Sequence, residues 1–126
     1  MIRLSEIRLP LGALPTDPET HPEAALRAAA SQALGIAPTG IARLHVFKRS
    51  FDARKVDLLA VYIVDITLAE PAQEAALLAQ HAGNPHIQPT PDMAWRPVGQ
   101  APAGLRERPV VVGFGPCGIF AALVLA

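Results

Sequence analysis

Cysteine occurs once in this chain of 126 residues, at Cys117. That excludes an intrachain disulfide framework and any cysteine-cluster metal site. Aromatic residues make up only 5% of the chain. Large apolar side chains are therefore scarcer than the 51% hydrophobic content suggests, since 23 alanines supply much of it. Excess charge of one sign is lacking too, because eleven basic residues balance eleven acidic ones. Bulk electrostatics thus argue against a strongly basic nucleic-acid binder and leave room for a local patch only. The first residues, Met1 to Arg8, have charges spread through them and no continuous apolar stretch. They carry no targeting signal of the usual kind, and a cytoplasmic protein is the expectation. No internal repeat of useful period is present. The four histidines are scattered, and His81 and His86 have no carboxylate completing a metal-ligand set.

The length suits one modest domain, or a small domain plus a fragment of another. Two features of the composition then pull apart. Thirteen prolines are present, seven of them between Pro85 and Pro116. By contrast the 17 residues from Val110 to Ala126 carry no charge at all.

The early part alternates secondary-structure signals. Ile2 to Leu11 alternates apolar and polar residues, with an irregularity near Ser5-Glu6 that fits a β-bulge. Thr20-His21-Pro22-Glu23 matches a capping box, with Thr20 as N-cap and Glu23 reaching back. A helix over Pro22 to Leu34 follows, with Leu26, Ala30, Ala33 and Leu34 as its apolar stripe and Gly35 as its stop. Ile41 to Phe51 and Leu58 to Leu68 favour strands and flank a polar connection of hairpin length. In the second of these, Leu58, Ala60, Tyr62, Val64, Ile66 and Leu68 share the expected core face. Asp65 and Thr67 mark the other face as the wetter one, although Leu59, Val61 and Ile63 suggest partial cover. A second helix starts at Glu70-Pro71, anchored by Leu77 and Leu78 and stopped by Gly83. His86-Ile87-Gln88 is a short last strand. Strand, helix, strand, strand, helix, strand is the split βαβ, ferredoxin-like order, which predicts a two-layer α+β domain over residues 1–90. Residues 91–109 read as a proline-rich linker, in which Trp95 is expected to dock onto a neighbouring surface.

The ending carries the sharpest signal. Val110-Val111-Val112 predicts a strand leading into Gly113-x-Gly115-x-x-Gly118 and then a helix. That is the context a dinucleotide fingerprint requires. Gly113 permits the tight turn, Gly115 lets backbone approach a pyrophosphate, and Gly118 lets the helix pack on the strand. The N–H groups and positive dipole end of the helix then hold the anion. Cys117 is read as packing like a small residue. Residues 110–126 thus read as the opening of a Rossmann (α/β) domain. The acidic ribose-binding residue belongs roughly 20 residues beyond the glycines, past Ala126.

Phe47-Lys48-Arg49-Ser50-Phe51-Asp52-Ala53-Arg54-Lys55, followed by Val61-Tyr62-Ile63-Val64-Asp65, resembles the N-terminal region of a bacterial family of uncharacterised FAD-dependent dehydrogenases. Gly113-Phe114-Gly115-Pro116-Cys117-Gly118 resembles the GxGPxG turn that opens the FAD-binding domain there. The resemblance covers nearly all of the chain. It implies a cytoplasmic FAD-dependent oxidoreductase, of which this chain is a truncated N-terminal portion: an accessory domain and the pyrophosphate turn. Gly113, Gly115, Pro116, Cys117 and Gly118 are the implied cofactor-binding residues. No catalytic residue is implied, and the fragment alone is expected to hold no FAD. Its natural partner would be the remainder of the FAD-binding domain.

Three other readings compete. The basic hairpin from Lys48 to Lys55 could contact a protein or, less readily, a nucleic acid, which would make this a ferredoxin-like binding module. The uncharged ending could self-associate. As a membrane span it is at the lower length limit, and three glycines and Pro116 argue against it.

Overall fold

The computed structural model describes residues 1–54, 56–97 and 99–126. The chain divides into two compact units, Met1–Pro91 and Asp92–Ala126.

The first unit is an α+β arrangement. Its elements are β1 (Ile2–Pro10), α1 (Glu23–Leu34), β2 (Ile41–Asp52), β3 (Leu59–Leu68), α2 (Glu74–Gln80) and β4 (Ile87–Pro89). The four strands form one sheet in the order β2-β3-β1-β4. Every adjacent pair is antiparallel, so β1 and β2 run parallel with β3 between them.

The alternation in β1 decides which residues go inside. Ile2, Leu4, Ile7 and Leu9 are all buried. Ile2 and Leu4 are two apart, but Leu4 and Ile7 are three apart. The extra residue is absorbed by a register shift between Leu4 and Ile7, the bulge expected at Ser5-Glu6. Glu6 takes the left-handed conformation there, with φ 60°. On β3, Ala60, Tyr62, Val64, Ile66 and Leu68 point into the same core, which Leu26, Ala30 and Leu34 of α1 and Leu77 of α2 cover. Leu58 was expected on that face but precedes the strand and is 47% exposed. It lies in the hairpin connection, where no ladder fixes its side.

Two details of α1 depart from expectation. Its N-cap is Pro22, which makes no side-chain capping bond. Thr20 instead donates its hydroxyl to Asp17 Oδ2, and the Glu19 N–H donates to Asp17 Oδ1 at 3.0 Å. Asp17 therefore organises its own turn, and the capping-box pairing of Thr20 with Glu23 does not form. Its buried stripe is Leu26, Ala30, Ser31 and Leu34, while Ala33 is exposed. Ser31 enters the core because its hydroxyl is satisfied locally by the Ala28 carbonyl at 2.9 Å. The end is as expected. Gly35 has φ 68° and the Ile36 N–H returns to the Ser31 carbonyl at 3.0 Å, a left-handed stop favouring glycine. The second helix begins later than Glu70. A 3₁₀ turn over Pro71–Gln73 precedes α2.

Among its described residues the second unit has one regular element, α3 (Pro116–Leu125). The strand expected at Val110 to Val112 is not formed. A strand exists through hydrogen bonds to a neighbour, and the described residues of 92–126 include no other strand. Val110 is 85% exposed and Val112 94%. Trp95, expected to be docked, is 71% exposed. Within its own unit it lines a shallow apolar cavity with Phe120, Leu123 and Val124 of α3. No described helix is long and apolar enough to cross a membrane.

Candidate functional site

The three glycines of the turn differ in what a side chain would meet. Gly113 has φ 110°, a conformation that L side chains rarely adopt. Gly115 is the N-cap of α3, with extended backbone. No atom lies within 4 Å of where a Cβ on Gly115 would stand, so the turn is open to an approaching group. Gly118 is the opposite case. A Cβ there would stand 2.1 Å from the Gly113 carbonyl oxygen and 3.0 Å from its carbon. The helix thus rests directly on the backbone of the turn, and any side chain at 118 would separate them.

Pro116 occupies the first turn of α3, where its missing N–H costs nothing. The first intrahelical bond runs from the Ile119 N–H to the Gly115 carbonyl at 3.0 Å. By helix geometry the N–H groups of Cys117 and Gly118 have no acceptor one turn earlier, which makes this end suited to an anion. Cys117 itself is exposed, so its side chain does not pack as a small core residue. The helix leaves its second residue facing outward.

The basic hairpin is organised differently from a free cationic patch. Asp52 accepts from Arg54 Nε at 2.8 Å, from Arg54 Nη2 at 2.7 Å and from the Arg54 N–H at 3.2 Å. Arg8 Nη1 adds a longer contact at 3.7 Å. The side-chain and backbone bonds from Arg54, then the charges of Arg54 and Arg8, hold the Asp52 carboxyl far below the usual carboxylate range. Arg49 donates to the Pro18 carbonyl at 2.8 Å. It pairs across the ladder with Tyr62, so it lies on the helix side of the sheet. Lys48 pairs with Ile63 and lies on the opposite side. Lys55 falls outside the described residues. Of the described cations of the hairpin, Lys48 and Arg49 therefore lie on opposite sides of the sheet, and Arg54 is engaged by Asp52.

The helix-free face of the sheet holds an arrangement the sequence reading missed. Arg3 donates from Nε and Nη2 to the two oxygens of Asp65 at 2.8 and 2.7 Å. The Thr90 hydroxyl adds a third bond to Asp65 at 3.2 Å. The Arg3 guanidinium carbon also lies 3.7 Å from the centroid of the Phe47 ring. Hydrogen bonds from Arg3 outweigh burial and hold Asp65 below its ordinary value. Asp65 is only 8% exposed on the face that its charge marked as wet. Period-two alternation assigns a side, but it does not foresee a salt bridge that buries the acid on that side. The signal available was Arg3 itself, which occupies the same side of β1.

The histidines do not cluster. His86 Nδ1 is 3.1 Å from Ser5 Oγ, and His81 Nε2 is 3.3 Å from the Leu34 carbonyl. Among the described residues no group of three His, Cys, Asp or Glu is placed to hold a metal.

A protein of Clostridium beijerinckii (strain ATCC 51743 / NCIMB 8052), which bears the name "Uncharacterized protein", is 38% identical over 97 residues. The match covers 74% of this chain and 17% of that protein, so the chain corresponds to a small part of its relative. Residues 1–67, which include β1, α1, β2 and nearly all of β3, match a family model described as "Domain of unknown function (DUF8436)", and the chain belongs to that family.

Proposed function

We propose that this chain is the N-terminal part of an FAD-dependent oxidoreductase. In this reading Met1–Pro91 is a ferredoxin-like accessory domain, a description supported by its strand order β2-β3-β1-β4 and its βαββαβ element order. The segment from Gly113 onward is the glycine turn and first helix of a Rossmann domain, and Val110 to Val112 would become its first strand only when a neighbouring strand pairs with it. The carrying observation is the closeness of Gly118 to Gly113, where a Cβ would stand 2.1 Å from the carbonyl oxygen. An ordinary glycine-rich loop has no need of such contact, whereas a pyrophosphate turn uses it to bring a helix N-terminus onto the phosphates. Gly115, with open space at its missing Cβ, supplies the approach, and the N–H groups of Cys117 and Gly118 supply donors. When bound, the flavin supplies hydride or electron transfer, and the protein positions it. The residues of the turn bind and orient the cofactor.

The test is the flavin content of the full-length natural protein. It is expected to emerge from gel filtration with a flavin spectrum and to release FAD on heating. The 126-residue chain alone is expected to emerge colourless. A full-length protein without flavin, and unable to take it up from added FAD, would contradict the proposal.

A further inference from the structure

The helix-free face of the sheet has a charge balance that can be followed pair by pair. Cross-strand register places Arg43, His45, Lys48 and Asp52 of β2 on the same side as Leu59, Val61, Ile63 and Asp65 of β3. Arg3 and Arg8 of β1 share that side. Phe47 joins them, since its ring contacts Arg3. The acids of this face are already matched. Asp65 is bound by Arg3, Glu6 by Arg8, and Asp52 by Arg54. Among the described residues Arg43 and Lys48 form no salt bridge, and both are exposed. They flank Phe47, which is 42% exposed although Arg3 already covers part of it.

The opposite layer has the opposite sign. Asp17, Glu19, Glu23, Glu70 and Glu74 all belong to the segments that lead into or begin α1 and α2, against Arg27 and Arg49 on that side. A net charge of zero for the chain therefore hides a domain with an acidic helical layer and a cationic open face. Between the two free cations and the Arg8 end runs an aliphatic row, Leu59, Val61 and Ile63, each half-buried. Beside the row a cleft opens near Arg8, Ser50, Asp52 and Val61.

We propose that this face docks an acidic amphipathic protein segment. Its apolar side chains would lie along Leu59, Val61, Ile63 and Phe47, and its carboxylates would meet Arg43 and Lys48. Complementarity of charge names the sign of the partner, and the aliphatic row names its other half. A single-stranded nucleic acid matches the sign but not the row. Base stacking needs aromatic platforms, and the central strands present Val61, Ile63 and arginines instead. This inference stands independently of flavin binding, because every residue in it belongs to Met1–Pro91.

The probe is a displayed library of random peptides of about 16 residues, long enough for four helical turns. It is selected on the 126-residue chain. Enrichment is expected for sequences with Leu, Ile or Phe at helical spacing and Asp or Glu beside them. Synthetic versions should shift the amide resonances of Val61 and Ile63. They should bind at least about tenfold more weakly to the double variant Arg43→Glu/Lys48→Glu, as rim charges steer but do not anchor. Both positions are exposed, and circular dichroism would verify that the variant folds. No enrichment over a bare surface would overturn the proposal. So would enriched peptides without acidic residues, binding unaffected by the double variant, or shifts confined to the helical layer. Oligothymidylate that binds this face while no peptide does would overturn it in favour of nucleic acid.

Discussion

Arg3 and Asp65 face each other directly across β1 and β3, joined by two parallel hydrogen bonds of 2.8 and 2.7 Å. The pair is the polar centre of a face that the hydrophobic pattern marks as solvent. Replacing Asp65 with Ala would leave Arg3, whose side chain is 15% exposed, without its counter-charge. A loss of about 2–4 kcal/mol is expected, near the range for breaking a buried pair. Chemical denaturation of the variant checks this, and a loss within experimental error would contradict the pairing.

The same pair sets a pH dependence. Bonding by Arg3 lowers the Asp65 carboxyl in the folded state relative to its ordinary value. Its contribution is therefore fully present above the unfolded carboxylate value of about 3.9 and fades as pH falls through the lower folded value. The stability gap between wild type and Asp65→Asn is expected to be constant near neutrality and to shrink below about pH 4. A gap that widens with acid would reverse the sign of this argument.

Glu6 holds φ 60° at the bulge of β1. Glycine adopts that conformation without strain, so Glu6→Gly is expected to be neutral or to stabilise by up to about 1 kcal/mol, despite losing the exposed pair with Arg8. A glycine at an ordinary strand position costs roughly 0.5–1 kcal/mol instead. A fall in thermal midpoint of that size would mean the left-handed residue is not there.

Thr20→Ala tests the correction to the helix start. A true N-cap loss costs about 0.5–2 kcal/mol. Thr20 donates to Asp17 outside α1, so the expected cost is below about 0.5 kcal/mol, as for other exposed sites. Asp17→Ala should cost more than Thr20→Ala, because Asp17 is the shared acceptor of the turn.

Much of the first unit was legible because burial follows period. The bulge at Ser5-Glu6, the core face from Ala60 to Leu68, the Gly35 stop and the short last strand all follow from spacing and from single turn residues. What escaped depended on choices among equivalent polar partners. Thr20 had Asp17 as well as the helix within reach, and Ser31 could enter the core through the Ala28 carbonyl. Arg3 and Asp65 are 62 residues apart, so no local window joins them. At the glycine turn, spacing singled out Gly113 and Gly118, and at both a side chain would be strained or would clash. The strand before it could not form on sequence pattern alone, because Val110 to Val112 needs a ladder partner.

The flavoprotein proposal rests on one turn, and the affinity of the full-length apoprotein for FAD tests it most directly. Gly118→Val should displace α3 from the Gly113 carbonyl, and Gly115→Val should fill the open approach. Each is expected to weaken FAD binding by at least about tenfold, 1.4 kcal/mol or more, in a protein that still folds by circular dichroism. Equal affinity of both folded variants and wild type would contradict a pyrophosphate site at this turn.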